Sequence, residues 1–370
     1  MACTSLDEKC LAHDDFRKDL ESFHKLEGYF NEDTEISYAS AYISIHFSRG
    51  KLSCKFLYDG GNYVRHKILY LPSDRSAIFL KDVRAMPLGL TNFRSCLLNW
   101  VNCRSHYTKE NMLSITGLNT RYYYDEDAEN SGKSGDYITV SSDSARGIPL
   151  FHGSGGTRAA VLLFVILDFY LKGYYQTYDH KKRMSDLTYG PNKCMSDLQR
   201  EQKLTKTILR KYSTRDEVWK ADLYTRLTKP QRTVFIIEEP ELHLFPGTQS
   251  ALVAHIVKSC NEDSRGLAVI TTHSHYLLSE VNVLLMAGIL EGRLRKDSSE
   301  YSELCAIIPE KEYLTPDEIT VYALDNGTCK SVIDTKTHLI KDNVIDFASH
   351  EIEDVFCKLY DILVRTVHEK

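Results

Sequence analysis

Apolar residues along the chain fall into segments of different period. From Thr233 to Ile237, and again from Leu267 to Thr271, apolar and β-branched residues follow one another without alternation. Short runs of that kind predict strands buried on both faces of a parallel sheet. Thr248 to Cys260, between them, has helical spacing, so the three together predict a strand, helix, strand unit and an α/β fold. A second signal is Gly153-Ser154-Gly155-Gly156, followed at once by a run that is apolar nearly all round. It predicts a buried helix opening from a glycine-rich turn. The run from Ala159 to Leu171 is interrupted by Asp168 and falls short of the ~20 residues a membrane span requires.

The rest is patterned more weakly. A polar, helical start runs through Glu27. Glu35 to Pro72 is rich in Ile, Tyr, Phe and Val and is punctuated by Ser48-Arg49-Gly50-Lys51 and Asp59-Gly60-Gly61-Asn62, which predicts three antiparallel strands joined by two hairpins. Pro72 ends the last of them, because it has no N–H for a ladder. Residues 85–121 read as mainly helical, and 122–150 as an acidic, Ser/Gly-rich loop with one short strand, Tyr137 to Ser141. Near the end, Ile319 to Leu324 and Cys329 to Ile333 flank Asp325-Asn326-Gly327-Thr328, a hairpin signal.

Composition changes this picture in three places. The 370 residues are 42 % hydrophobic and 26 % charged, which fits a folded globular chain and disfavours disorder, collagen and disulfide scaffolds. Ten cysteines come with neither a signal peptide nor a two-residue-gapped pair, so reduced thiols, a cytoplasmic setting and no zinc site are expected. Net charge is −5, but Lys181 to Arg232 holds fourteen Lys/Arg against six acids and the remainder is correspondingly acidic. Lys203, Lys206, Arg210 and Lys211 in that basic stretch are candidate phosphate-backbone contacts. A protein-partner surface is the rival reading.

The chemistry concentrates in Phe235-Ile236-Ile237-Glu238-Glu239-Pro240-Glu241-Leu242-His243-Leu244-Phe245-Pro246. A buried strand that delivers two adjacent acids at its carboxyl end places them where α/β proteins bind ligands. One acid can hold Mg²⁺ while the other polarises a water. Past the next strand comes Thr271-Thr272-His273-Ser274, whose histidine can reach a phosphate or that water. The turn at Ser154, Gly155 and Gly156 offers backbone amides, a hydroxyl and a positive helix end to an anion.

Glu238-Glu239-Pro240-Glu241-Leu242-His243-Leu244-Phe245-Pro246 followed by Thr271-Thr272-His273-Ser274 resembles the second acidic motif and the switch histidine of ATP-binding-cassette ATPases. The version is similar to that of the OLD, RecF and SMC relatives rather than of membrane transporters, and the resemblance spans roughly residues 30 to 335. It implies an ABC-ATPase-like α/β core with a mixed or parallel sheet, N-terminal antiparallel strands and a helical insertion. It also implies ATP and Mg²⁺ as cofactors, with Glu238 the Mg²⁺-associated acid, Glu239 the catalytic acid and His273 the γ-phosphate sensor. By the same resemblance Ser154-Gly155-Gly156-Thr157-Arg158 is the signature motif, and Glu241 to Pro246 replaces the loop that crosses to the opposite subunit. The implied organisation is residues 1–150 for the N-terminal part of the ATPase domain, 151–180 for the signature helix, 181–232 for the basic insertion, 233–335 for the C-terminal lobe and 336–370 for a helical tail.

One part of the pattern is missing. The glycine-rich phosphate loop needs Lys and Ser/Thr at a strand-to-helix turn. Gly132-Lys133-Ser134 is the only Gly-Lys-Ser, yet Asp127 stands where the earlier glycine belongs, and Asp125, Glu126 and Glu129 would repel a triphosphate. It reads as a chance match. Three explanations stay open: a chain that begins late, a separate polypeptide that supplies the loop, or a degenerate cassette. The implied function is an ATPase closing as a homodimer, or as half of a heteromer, to act on nucleic acid or on an effector such as a nuclease or toxin in anti-phage defence. The alternatives are a non-hydrolysing scaffold that holds an effector and a RecF-like DNA-repair ATPase.

Overall fold

The structure is a computed structural model that describes residues 28–40, 43–49, 51–56, 64–79, 92–140, 143–177, 230–341 and 355–360, together with Glu21 and Leu26. The chain forms two compact units, each assembled from separate stretches of sequence. One draws on Met1–His106, Asp168–Ile236 and Arg265–Val269, the other on Tyr107–Leu167, Ile237–Ser264 and Ile270–Lys370.

In the first unit β1 (Ile36–Ala39), β2 (Ile43–Ser48) and β3 (Lys51–Phe56) form an antiparallel meander. Ser48 pairs with Lys51 across the expected hairpin. The region differs from expectation in two ways. The first expected strand is broken into β1 and β2, and β4 (His66–Leu71) belongs to a different sheet, of order β10-β9-β4. The expected second hairpin at Asp59 to Asn62 lies outside the described residues. Pro72 does end β4, and its carbonyl accepts from Arg75 N at 3.3 Å in the turn that follows. The helix α1 (Asn92–Arg104) buries Cys96, Trp100 and Cys103, and Phe79 meets Trp100 edge-on with centroids 5.0 Å apart. Burial pushes the Cys96 thiol up to about 12.

The second unit opens with a sheet that the sequence reading did not expect. β5 (Leu113–Ile115), β6 (Thr120–Tyr124), β7 (Asp136–Val140) and β8 (Asp143–Pro149) pair in order as antiparallel neighbours, with a five-residue helix α2 (Glu126–Asn130) between β6 and β7. The helical expectation for 85–121 therefore holds only for α1 within the described residues, and the loop expected over 122–150 is mostly strand. Tyrosine pairing outweighs the Ser/Gly-rich, acidic composition. Tyr123 stands opposite Tyr137 with rings stacked at 5.4 Å, and Tyr122 donates to the buried carboxylate of Asp136 at 2.8 Å.

α3 (Gly155–Asp168) opens from the glycine turn, as its composition requires, and buries every residue from Ala159 to Leu167. It continues into a π-helical stretch, Phe169–Gly173, and a last turn, Tyr174–Thr177. The βαβ unit is present as β9 (Arg232–Glu238), α4 (Pro246–Glu262) and β10 (Gly266–Thr271). Thr233 N bonds Arg265 O and Glu239 N bonds Thr271 O, both at 2.9 Å. The constant offset means that the two strands run in the same direction. β9 buries Thr233, Phe235 and Ile237, but β10 alternates in exposure, with Leu267 56 % and Val269 48 % exposed. Burial on both faces is thus corrected for β10. Among the described residues it is an outer strand of a three-stranded sheet, and one of its faces stays partly open.

Then come α5 (His275–Glu291), α6 (Ser299–Ile307) and the hairpin of β11 (Tyr322–Asp325) and β12 (Thr328–Ser331). Asn326 and Gly327 both take positive φ, 46° and 74°, as the Asn-Gly hairpin turn requires. Val253, Leu277, Leu284, Leu285, Leu314, Val332 and Ile340 form the core beneath. Residues 355–360 are helical, and the rest of the expected C-terminal tail beyond 341 lies outside the described residues. So does the polar start through residue 20, and so does the basic stretch up to residue 229, with Lys203, Lys206, Arg210 and Lys211. No described helix is long and apolar enough to cross a membrane.

Candidate functional site

The site is built from the second unit, where β9 and β10 end. β9 stops at Glu238 because Glu239 takes φ +40°, a left-handed conformation that a strand cannot continue through. Its N–H still makes the last ladder bond, to Thr271 O. The chain then doubles back: Leu242 N bonds Glu239 O at 3.2 Å, Leu244 N bonds Glu241 O at 2.9 Å, and His243 takes φ +64°. Two non-glycine residues in this region within five positions cost roughly 1 kcal/mol or more each. The bonds that hold the turn offset that cost. Pro246 then starts α4, where its missing N–H is harmless.

β10 ends in Thr272-His273-Ser274, and four side chains lock that end to the acidic turn. Glu241 Oε1 accepts from the Thr272 hydroxyl at 2.9 Å and from the His273 backbone N–H at 2.8 Å. Thr272 Oγ1 accepts from Ser274 N at 2.9 Å. Ser274 Oγ donates to Gln249 Oε1 at 2.6 Å and caps α5 by accepting from Leu277 N at 3.2 Å. Gln249 Nε2 donates to Leu244 O at 2.9 Å, which returns to the acidic turn. Each hydroxyl proton and the amide are used consistently, so the ring of bonds closes without a conflict of donors.

Within this frame the acid and the histidine meet. His273 Nε2 lies 3.8 Å from Glu239 Oε1, with the ring 84 % and the carboxylate 35 % exposed. That separation is too long for a direct hydrogen bond and suits a bridging water. A carboxylate and an imidazole facing one solvent-reached gap can orient a water and take its proton.

The glycine turn packs on the same loop. A Cβ on Gly156 would fall 2.2 Å from the His243 carbonyl oxygen, and one on Gly155 would sit 3.6 Å from the His243 ring. Gly156 is therefore required by close approach. Ser154 caps α3: its hydroxyl accepts from Thr157 N at 3.1 Å and lies 2.9 Å from Thr157 Oγ1. Arg158 Nε is buried without a hydrogen-bond partner.

Of the residues expected to act together, the structure joins Glu239 to His273, and Gly155 and Gly156 to the turn at His243. Glu238 is half-buried on β9. Among the described residues no three His, Cys, Asp or Glu side chains stand close enough to hold a metal ion by themselves. Mg²⁺ held by one carboxylate together with substrate phosphates does not need such a cluster.

Gly132-Lys133-Ser134 has a plain structural account. Gly132 takes φ +79°, its N–H bonds Glu129 O, and Lys133 N bonds Ala128 O, both at 2.9 Å. Those two bonds are a Schellman motif closing α2. The segment ends a helix, whereas a phosphate loop must begin one.

Glu241, Thr272, Gln249 and Ser274 were given no individual role by the sequence reading. A serine just ahead of the apolar helical run that begins at Tyr276 is an N-cap signal and marks Ser274 alone. A pairing of Glu241 with residues more than thirty positions away leaves no local trace. No protein-family model matches the chain, and comparison with curated proteins finds no match.

Proposed function

We propose that this chain is a nucleotide-dependent protein of the ATP-binding-cassette type, in which Glu239 orients the water that attacks the γ-phosphate of ATP and His273 contacts that phosphate. In this reading Glu238 stands beside Mg²⁺, and the Ser154-Gly155-Gly156 turn meets nucleotide held by a second subunit. Closure around ATP would then be coupled to a DNA or effector-protein partner, with anti-phage defence the preferred setting by analogy. The observation that carries the reading is the 3.8 Å approach of Glu239 to His273 at the ends of two neighbouring strands. Chance proximity of an exposed ring and a half-buried carboxylate would not need the ring of bonds that fixes both strand ends.

The test is ATP binding and hydrolysis by the purified chain, alone and with candidate partner subunits, beside Glu239→Gln. Loss of a general base costs typically ~10²–10⁴-fold. Turnover should fall by about 100-fold or more while ATP is still bound; unchanged turnover removes Glu239 from the role.

A second reading has its own observation. The one Gly-Lys-Ser closes a helix, so the described residues include no phosphate loop at that sequence. A scaffold that holds an effector without hydrolysis would bind its partner equally well with Glu239→Gln.

A further inference from the structure

We infer that Glu241 is a positioning residue: it fixes His273 against Glu239 by geometry, and its charge is not required. The inference rests on the reading of Glu239 and His273 above and extends it to the residue that aligns them.

Glu241 Oε1 is the shared acceptor for the Thr272 hydroxyl and the His273 N–H. The second bond acts on the backbone of the residue whose ring faces Glu239, and the first on its neighbour. Both acceptor bonds use one oxygen. The other, Oε2, is buried and has no hydrogen-bond partner. Among the described residues no further donor reaches that atom, so the bonds that act on His273 all run through Oε1. An amide oxygen can accept the same two bonds at Oε1, and burying an uncharged amide costs less than burying a charge. His273 itself is 84 % exposed and has little packing to orient its ring. Its orientation therefore depends on the backbone that carries it, and Glu241 holds that backbone on one side while Glu239 N holds Thr271 O on the other.

Charge and geometry can be separated by two conservative variants. Glu241→Gln keeps the reach and loses the charge. Glu241→Asp keeps the charge and is one methylene too short to accept both bonds. Misplacement of a catalytic group by about 1 Å costs on the order of 100-fold in rate. Glu241→Gln is expected within about threefold of the parent kcat, and Glu241→Asp at least about tenfold below it, with KM for ATP changed less than about threefold in both. Hydrogen exchange of a peptide spanning Thr271 to His275 provides a readout that needs no activity. The His273 amide should exchange at least about tenfold faster in Glu241→Asp and at the parent rate in Glu241→Gln.

If the parent protein proves not to hydrolyse ATP, the functional reading fails and the exchange measurement alone decides the positioning role. Glu241→Gln as impaired as Glu241→Asp, the reverse order, or two variants indistinguishable from the parent would each overturn the inference.

Discussion

Gly132-Lys133-Ser134 and Ser154-Gly155-Gly156 put the same kinds of residue at the end of a helix, but at opposite ends and for opposite reasons. Gly132 closes α2. Among the described residues nothing lies within 4 Å of where its Cβ would be, and its φ of +79° is what calls for glycine. Gly156 sits inside α3, where its conformation suits any residue, and the demand comes from the His243 carbonyl 2.2 Å from its missing Cβ. A glycine needed for conformation marks a local turn. A glycine needed for approach reports another part of the chain, here the acidic loop between Glu239 and α4. The tempting motif is therefore the local one, and the informative motif is the one with a partner.

The largest effect that would sharpen this contrast is at Gly156. Gly156→Ala forces a methyl against a backbone carbonyl, which cannot swing aside as a side chain can. Overpacking of that kind should destabilise by about 3 kcal/mol or more, read as a lower urea midpoint with an unchanged slope. Gly155→Ala supplies the control. Its Cβ would make ordinary contact at 3.6 Å with the His243 ring, so the helix gains up to about 0.5 kcal/mol from the better helix former. Equal stabilities for the two variants would mean that the His243 carbonyl does not rest on Gly156.

At Gly132 the expected loss is smaller. Gly132→Ala imposes a left-handed conformation on alanine at a cost of about 1 kcal/mol, with no clash. A loss as large as that at Gly156 would show that Gly132 too has a hidden partner.

The contrast also explains how much could be read in advance. Where a signal is local, the sequence reading and the structure agree: the Asn326-Gly327 turn, the all-apolar α3, the Pro72 strand end and the parallel β9 and β10 all follow from neighbouring residues. Where the cause is remote, they part. The β5 to β8 sheet depends on cross-strand tyrosines that composition conceals, and the open face of β10 depends on its place in the sheet. The same holds in the site. Glu239 and His273 stand out because each follows a short apolar run that forms a strand, whereas Glu241 looks like one acid among several until Thr272 and His273 are seen to share its Oε1.

Acid should distinguish the two turns further, with a smaller effect. α2 begins at Asp125, whose carboxyl is held below its ordinary range first by the Lys109 ammonium, 2.6 Å away, and next by the Ala128 N–H it caps. A folded-state pKa below the unfolded value contributes stability above the unfolded pKa and loses it as pH falls through the folded one. The ordinary aspartate value is about 3.9, so the loss falls in the acid range below that. Asp125→Asn keeps a good cap and removes the ion pair. The parent should lead Asp125→Asn in urea midpoint near pH 6, and the lead should shrink towards pH 3. A constant gap would assign the difference to something other than this carboxylate.

The smallest expected effect is the most decisive for the motif itself. The Lys133 backbone N–H belongs to the Schellman closure of α2, and that bond does not depend on the side chain. The residues leading up to it, Asp125, Glu126, Asp127 and Glu129, make a poor place for a triphosphate. Lys133→Ala should therefore leave stability within ±0.5 kcal/mol, as an uninvolved surface change does, and leave ATP affinity unchanged. A phosphate-loop lysine contacts the β- and γ-phosphates directly, and losing a charge-assisted bond of that kind costs about 1.5–3 kcal/mol, or roughly 10- to 150-fold in affinity. Calorimetric titration of ATP into the parent and Lys133→Ala separates the two cases. A loss of that size would make Gly132-Lys133-Ser134 a nucleotide site in spite of its position at the end of a helix, and with it would go the separation of the two turns on which the other predictions stand.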